Sequence, residues 1–137
     1  MPKPITPLLT VDAVIKMQDN NIILIKRKNP PFQGQYALPG GFVEIGETTE
    51  EACIREAFEE TNIHVKIMKL TGVYSDPKRD PRRHTVTISY LCEPLTMNEK
   101  PMAKTDAMDL ELVPIKNVES MELAFDHKQI IMDSLSL

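Results

Sequence analysis

The stretch GGFVEIGETTEEACIREAFEETNI, residues 40–63, contains seven glutamates. Its second half has helical spacing, and Thr48 followed by Glu51 matches a capping box, which predicts that a helix begins after Thr48. On a helical wheel of about 100° per residue, residues at spacings i, i+3 and i+4 share one side. The segment therefore predicts a helix with an acidic face, made of Glu56, Glu59 and Glu60.

The apolar residues of this helix lie on its other side. We predict that its core face, opposite the acidic face, consists of Ile54, Ala57, Phe58 and Thr61. The acidic face has two interpretations. It is either a solvated surface, where each like-charge pair costs roughly 0.2–0.5 kcal/mol, or a divalent cation site, because hard cations take oxygen ligands and keep carboxylates ionised.

The composition is that of one folded domain, residues 1–137, with 42% apolar and 26% charged residues. A net charge of −4 argues against binding nucleic acid through a general basic field, although a bound cation can reverse the charge locally. The N-terminus MPKPITPLLT has no apolar signal core, and no apolar run reaches about 18 residues. We therefore expect a cytoplasmic protein without a nucleic-acid or membrane partner. Cys53 and Cys92 are expected to be buried free thiols.

The rest of the chain mixes strand and helix patterns without regular alternation. Such a mixture predicts an α+β fold, with a mixed β-sheet sandwiched between α-helices. Strands are predicted at residues 8–17, 22–28, 64–75, 85–93 and 108–115, and a closing helix at 125–135, with Asp126 as its N-cap.

The spacing around the acidic face follows a longer pattern. Gly41 is followed after five residues by Glu47, and after seven more by Arg55-Glu56, an apolar residue, any residue and Glu59-Glu60. This arrangement resembles the Nudix box, G-x5-E-x7-R-E-U-x-E-E-x-G-U, in which U is apolar. The one departure is Asn62 in place of the last glycine, and Asn is the next best residue for a left-handed helix end.

The resemblance implies a Mg²⁺-dependent hydrolase of nucleoside diphosphate derivatives, with Mn²⁺ as a substitute metal. It implies that the metal ligands are the Gly40 carbonyl and the carboxylates of Glu56, Glu59 and Glu60, and that Arg55 pairs with Glu47 or Glu59 and orients the helix. Glu56, Glu59, Arg55 and Glu47 are thus the expected catalytic residues. The general base stays open among Glu59, Asp106, Asp109 and Glu111, and Glu44 is either a supporting group or exposed.

A second stretch bears on the substrate. GVYSDPKRDPRRHTVTISYL, residues 72–91, resembles the segment after the box in small ADP-ribose pyrophosphatases, with Pro77 near a characteristic position and Arg83 where a glycine is expected. Residues 76–84, which we call the basic loop, either grip phosphate or ribose oxygens or are solvated. The favoured substrate contacts in it are Arg79, Arg82 and His84.

Two aromatic residues are further candidates for the substrate site. Phe125, in a stretch that resembles the closing helix of the same subgroup, either stacks on adenine or packs in the core. Tyr36, before LPGG, either lines the base pocket or packs.

Three functions compete, and the box argues against a fourth, a plain interaction domain with a solvated acidic face. The first is hydrolysis of ADP-ribose to AMP and ribose 5-phosphate. The second is hydrolysis of damaged nucleoside triphosphates such as 8-oxo-dGTP, and the third is binding of ADP-ribose without cleavage. The resemblance also favours a homodimer, although no stretch of the sequence marks an interface.

Overall fold

The structure is a computed structural model, and it describes residues 2–102 and 109–136. Its strands are β1 (Leu8–Met17), β2 (Asn21–Lys26), β3 (Tyr36–Ala37), β4 (Gly40–Phe42), β5 (Val65–Tyr74), β6 (Thr85–Pro94) and β7 (Leu110–Pro114). Its helices are α1 (Thr49–Thr61) and α2 (His127–Leu135), with 3-10 turns at Gln18–Asn20 and Ile115–Ser120. Each predicted strand and helix is present, with ends that shift by one or two residues. Residues 103–108, which include the start of the last predicted strand, lie outside the described residues.

Strand β1 is the centre of a mixed sheet with the order β3-β2-β1-β6-β5. It pairs in parallel with β6 and antiparallel with β2 and β4, while β7 joins the outer side of β2. The antiparallel pairing of β1 with β4 sets Asp12 opposite Gly40, which brings the glycines of the box to the middle of the sheet.

The sheet is covered on both faces because β1 carries apolar side chains on both. Val11, Ala13 and Ile15 belong to a core that includes buried residues of α1. Val14, on the other face, belongs to a second core with Ile130 and Ile131 of α2. This arrangement confirms the predicted α+β sandwich. No helix in the described part of the chain is both long and apolar enough to span a bilayer.

Helix α1 begins and ends as predicted. Thr48 Oγ1 accepts from the Glu51 N–H at 3.0 Å, and Glu51 Oε1 accepts from the Thr48 N–H at 2.9 Å. At the other end Asn62 is left-handed, with φ 66°, and its N–H donates to the Phe58 carbonyl. The departure from the box therefore leaves the helix end intact.

The predicted core face of α1 is wrong in two ways. Its buried residues are Ala52, Cys53, Ala57 and Thr61. Ile54 is 39% exposed, and Phe58 is partly exposed and stacks on His64. Small residues let the helix lie close to the sheet, and Glu60 falls within the same buried arc. The acidic face therefore overlaps the packed face and does not lie opposite to it.

Two further predictions concern Asp126 and the cysteines. Asp126 precedes α2, but its side chain makes no capping hydrogen bond, because its carboxylate binds Arg79. Cys53 and Cys92 are buried and free, as predicted, and their Sγ atoms lie 3.9 Å apart across α1 and β6.

Candidate active site

The site is built where the glycines of β4 meet the acids of α1. The N–H of Gly40 donates to Glu60 Oε2 at 3.1 Å. A methyl group on Gly40 would collide with the Val11 carbonyl oxygen and Asp12 Oδ1, and one on Gly41 would collide with the Glu56 carboxylate. Only glycine lets the backbone approach these carboxylates so closely.

Burial makes the carboxylates of this site costly to ionise. Desolvation raises the pKa of Glu60 to about 8, with further increases from Glu56 and Asp12 nearby. Desolvation also raises the pKa of Glu56, against the opposing effect of Arg55. Ionised carboxylates at this place therefore need a positive partner.

Arg55 supplies one positive partner. Its Nε and Nη2 donate to the two carboxylate oxygens of Glu47 at 2.7 and 2.9 Å, and Nη1 donates to Glu56 at 2.8 Å and Glu59 at 3.2 Å. The Arg55 hydrogen bonds lower the pKa of Glu47 to about 2. Sequence reasoning expected a pair with Glu47 or Glu59, and the structure shows both. Glu44 is exposed, with its carboxylate 4.0 Å from Arg55.

The described residues suit a hard divalent cation, although residues 2–102 and 109–136 include no ready-made group of three or more metal-binding side chains. Arg55 Nη1 lies between Glu56 and Glu59 in this arrangement. Asp12 Oδ2 is buried and has no hydrogen-bond partner among the described residues, and Glu60 is a largely buried acid. Carboxylate and carbonyl oxygens in such a place are the donors that Mg²⁺ and Mn²⁺ take.

A cleft of about 250 Å³ joins this region to the basic loop. Its lining includes Gly40, Gly41 and Glu60 on the acidic side, and Arg27, Arg79, Arg82 and Phe125 on the basic side. Two larger grooves, of about 950 and 600 Å³, contain none of the predicted site residues. We place the site in the smaller cleft because it alone, among these three, brings an acid of α1, Glu60, together with the arginines. The other predicted residues of α1 and of the loop before it are not in the lining, and of these Glu56 borders it, since its carboxylate lies against Gly41.

Two predicted substrate contacts of the basic loop line the cleft, and they differ in availability. Arg79 is buried, with Nε and Nη2 bound to the Asp126 carboxylate at 2.8 and 2.6 Å and Nη1 to Thr87 Oγ1 at 2.7 Å. The Arg82 side chain is 42% exposed and pairs with Asp80 at 2.8 Å. His84 is exposed, with Nε2 3.0 Å from the Ser75 carbonyl oxygen, and the structure places it outside the cleft lining.

The two aromatic candidates lie in different places, one at the cleft and one against the core. Phe125 lines the cleft, with the guanidinium carbons of Arg27 and Arg82 at 4.9 and 5.7 Å from its ring centre. Tyr36 packs against the α2 core instead, and burial raises the pKa of its hydroxyl, aided by a hydrogen bond with Glu111.

Of the candidate general bases, Glu59 stands on α1 with an exposed side chain. Asp109 and Glu111 are exposed and are not part of the cleft lining. Asp106 lies outside the described residues.

Four titratable residues of the cleft lining were not predicted from the sequence: Asp12, Arg27, Asp80 and His127. Asp12 could have been found, because a charge inside the apolar strand LLTVDAVIKM is unusual and points to a buried partner. Asp80 lies within the basic loop and pairs with Arg82, two residues away. Arg27 and His127 gave no local signal, because their place in the cleft depends on contacts between distant parts of the chain.

Comparison with known proteins agrees with this geometry. The NUDIX domain model matches residues 6–133. An ADP-ribose pyrophosphatase of Methanocaldococcus jannaschii is 49% identical over 127 residues, which cover 93% of this chain and 72% of that protein.

Two solved structures are similar in fold. The NUDIX domain of Shewanella oneidensis NrtR, complexed with ADP ribose, has a TM-score of 0.85 at 29% identity and covers 96% of this chain and 88% of that one. A bifunctional NMN adenylyltransferase/ADP ribose pyrophosphatase from Francisella tularensis, complexed with AMP and a Mn ion, has a TM-score of 0.82 at 33% identity; the match covers 96% of this chain and 42% of that one. The box, the fold and these matches together show that the protein belongs to the NUDIX family, as a Nudix pyrophosphohydrolase.

Proposed function

We propose that the protein hydrolyses ADP-ribose to AMP and ribose 5-phosphate with Mg²⁺ as cofactor and Mn²⁺ as a substitute. Water adds its oxygen to one phosphorus, the bond from that phosphorus to the bridging oxygen breaks, and protons are released to the solvent. The similarity to an ADP-ribose pyrophosphatase over nearly the whole chain supports this substrate.

The observation that carries the proposal is the cleft, which has acids on one side and arginines on the other. A diphosphate needs both. On the acidic side Gly40, Glu56, Glu59 and Glu60 would hold the metal, which when bound supplies Lewis-acid stabilisation of the phosphates and a more acidic water. On the basic side a guanidinium donates paired hydrogen bonds to phosphate oxygens.

The roles of the protein's own residues follow from their contacts. Arg55 holds Glu47, Glu56 and Glu59 in place on α1. Because Arg79 is buried and occupied by Asp126, we assign substrate binding to the more exposed Arg82, with Arg27 beside it. Desolvation and the nearby Arg82 lower the pKa of Arg27, so an anion between these two cations would relieve their repulsion.

Phe125 completes the basic side. Its ring already contacts Phe32 and two arginines, so it orients these guanidinium groups and presents an apolar edge to the substrate. His84, placed outside the cleft, is not assigned a role.

A substrate panel tests the proposal. Purified protein with Mg²⁺ is incubated with ADP-ribose, NADH, diadenosine polyphosphates, NDP-sugars and 8-oxo-dGTP, and the products are separated by chromatography. We expect AMP to be released chiefly from ADP-ribose. A wide preference for 8-oxo-dGTP would replace this function with removal of damaged nucleotides, and tight binding of ADP-ribose without turnover would replace it with a sensor.

We also propose a homodimer. Light scattering of the purified protein in solution measures its mass directly, and a mass near the 15.5 kDa of one chain would refute the dimer.

A further inference from the structure

We propose that His127 is a positioning residue that fixes the peptide of Gly40, the backbone group that the proposed function assigns to the metal. This inference rests on that function. His127 is the first residue of α2, is 6% exposed and lines the cleft.

Both ring nitrogens of His127 face the protein. Nδ1 accepts a hydrogen bond of 2.9 Å from the Leu38 N–H, so in the neutral ring the proton is on Nε2. Nε2 lies 3.2 Å from Asp12 Oδ2, but the contact lacks hydrogen-bond geometry, since Oδ2 has no hydrogen-bond partner in the described residues. The imidazole is thus held through Nδ1 by the Leu38 N–H, while Nε2 lies against the Asp12 carboxylate.

The segment that His127 holds is Leu38-Pro39-Gly40. Pro39 has no N–H, so Leu38 and Gly40 carry the two N–H groups of the segment. Each goes to a side chain: Leu38 to His127 at 2.9 Å, and Gly40 to Glu60 at 3.1 Å. His127 on α2 and Glu60 on α1 therefore clamp the two ends of one short segment, and a displacement of Leu38 reaches Gly40 through a single rigid proline.

The Asp12 side chain lies beside both the imidazole and Gly40. Gly40 lies so close to Asp12 that an added methyl group would collide with Oδ1, while Oδ2 of the same carboxylate faces His127. The Asp12 carboxylate therefore lies next to both the imidazole and Gly40. Loss of the ring would give both Asp12 and Leu38 room to move.

The residue before His127 ties the same turn to the other side of the cleft. Asp126 binds Arg79 of the basic loop through both carboxylate oxygens, at 2.8 and 2.6 Å. Residues at the start of α2 therefore position both the backbone of Leu38 to Gly40, through His127, and the basic loop, through Asp126.

Three substitutions separate the two contacts of the ring. His127→Asn places an amide oxygen near the Nδ1 position, where it can still accept from Leu38. His127→Gln extends its amide towards the Nε2 position and loses that acceptor, and His127→Ala removes both contacts. Ser134→Ala is the matched control, because Ser134 is buried on the same helix and bonds to Ile130 and Thr71, away from the cleft.

The readouts are Mn²⁺ affinity by electron paramagnetic resonance of the free ion, thermal unfolding without metal, and kcat and KM for ADP-ribose. We expect His127→Ala and His127→Gln to weaken Mn²⁺ binding about tenfold and to lower kcat similarly, the effect of losing a group that orients a metal ligand. KM should change less than about threefold. His127→Asn should keep Mn²⁺ affinity within about threefold of the wild type, and Ser134→Ala should lower Tm alone.

The inference is overturned if His127→Asn is as defective as His127→Gln, or if His127→Ala lowers Tm while Mn²⁺ affinity and kcat stay unchanged. The role of His127 and the proposed function can be refuted independently of each other. A wild-type protein that binds Mn²⁺ but does not cleave ADP-ribose refutes the substrate, and the Mn²⁺ comparison still decides the role of His127. A wild type that binds no Mn²⁺ refutes the metal site and this inference with it.

Discussion

Glu60 is the residue in which packing and chemistry conflict most directly. It lies in the buried arc of α1 and accepts a hydrogen bond from Gly40, yet burial raises its pKa to about 8. A Glu at an ordinary core position would be replaced by an apolar residue without loss. Its presence is explained if a cation offsets the desolvation of its charge.

The raised pKa of Glu60 predicts how stability depends on pH. Its pKa is about 8 in the folded protein against an ordinary value of 4.5, so between these limits the folded state binds a proton that the unfolded state releases. Unfolding free energy therefore falls as pH rises through this window. We expect the Tm of the metal-free protein to fall from about pH 5 to about pH 8, and added Mg²⁺ to restore it most at the upper end.

Two variants check that Glu60 is the source of this slope. Glu60→Gln should flatten it, because Gln does not titrate. Glu50→Gln should keep it, since Glu50 is an exposed acid of the same helix whose pKa is lowered, chiefly by its hydrogen bond from Thr49. An unchanged slope in Glu60→Gln would show that other groups cause it.

The basic loop contributes two arginines with different tasks. Arg79 is buried and joins the loop to the start of α2, whereas Arg82 is partly exposed at the cleft. Local sequence offered no means to tell them apart, because both occur in one charged stretch and the partner of Arg79 is Asp126, 47 residues away.

We expect Arg79→Met to destabilise the protein by about 2–3 kcal/mol, because it leaves the partly buried Asp126 carboxylate unpaired. Arg79→Lys should restore little of this loss, since an ammonium cannot make the paired contact. Urea denaturation measures both. Equal stability of the wild type and Arg79→Met would contradict a structural role.

Arg82→Gln should mainly affect substrate binding. Gln can still donate to Asp80, so we expect a smaller loss of stability, about 1 kcal/mol. KM for ADP-ribose should rise about tenfold, which corresponds to one charge-assisted hydrogen bond of about 1.4 kcal/mol. Steady-state kinetics decides this, and an unchanged KM would remove Arg82 from the substrate contacts.

The end of α1 offers a test of the departure from the Nudix box. Asn62 holds a left-handed conformation with φ 66°, so Asn62→Gly should be neutral or slightly stabilising. Asn62→Ala should cost about 1 kcal/mol, because alanine keeps the strained β-carbon of a left-handed residue and lacks the amide that offsets this strain in asparagine. Thermal unfolding compares the two, and an Ala variant as stable as the Gly variant would contradict the argument.

For the molecule as a whole, sequence patterns predicted the strands and helices better than they predicted the tertiary contacts between them. The strands, α1 and its two caps follow from periodicity and from local hydrogen bonds, which neighbouring residues determine. The face of α1 that packs against the sheet does not follow from these local patterns. Its small residues allow close contact with β1, and this preference for small residues buries Glu60 and exposes Ile54.

The site was likewise predictable where one segment builds it. The box places Glu47, Arg55 and the acidic face together. Asp12 and His127 were not predicted from the sequence, because β1, β4 and α2 come together only in the folded chain. In the folded chain Asp12 lies against Gly40, and His127 binds the N–H of Leu38, two residues before it.

The most direct test of the central claim is the release of AMP from ADP-ribose by protein stripped with a chelator and then titrated with Mg²⁺, in the wild type and in Glu60→Gln. We predict no release without metal, activity restored by Mg²⁺ in the wild type, and a loss of about a hundredfold or more in Glu60→Gln, whose circular dichroism should stay that of a folded protein. Cleavage without metal, or near-normal turnover in Glu60→Gln, would contradict a metal-dependent diphosphate hydrolase built on the acids of α1.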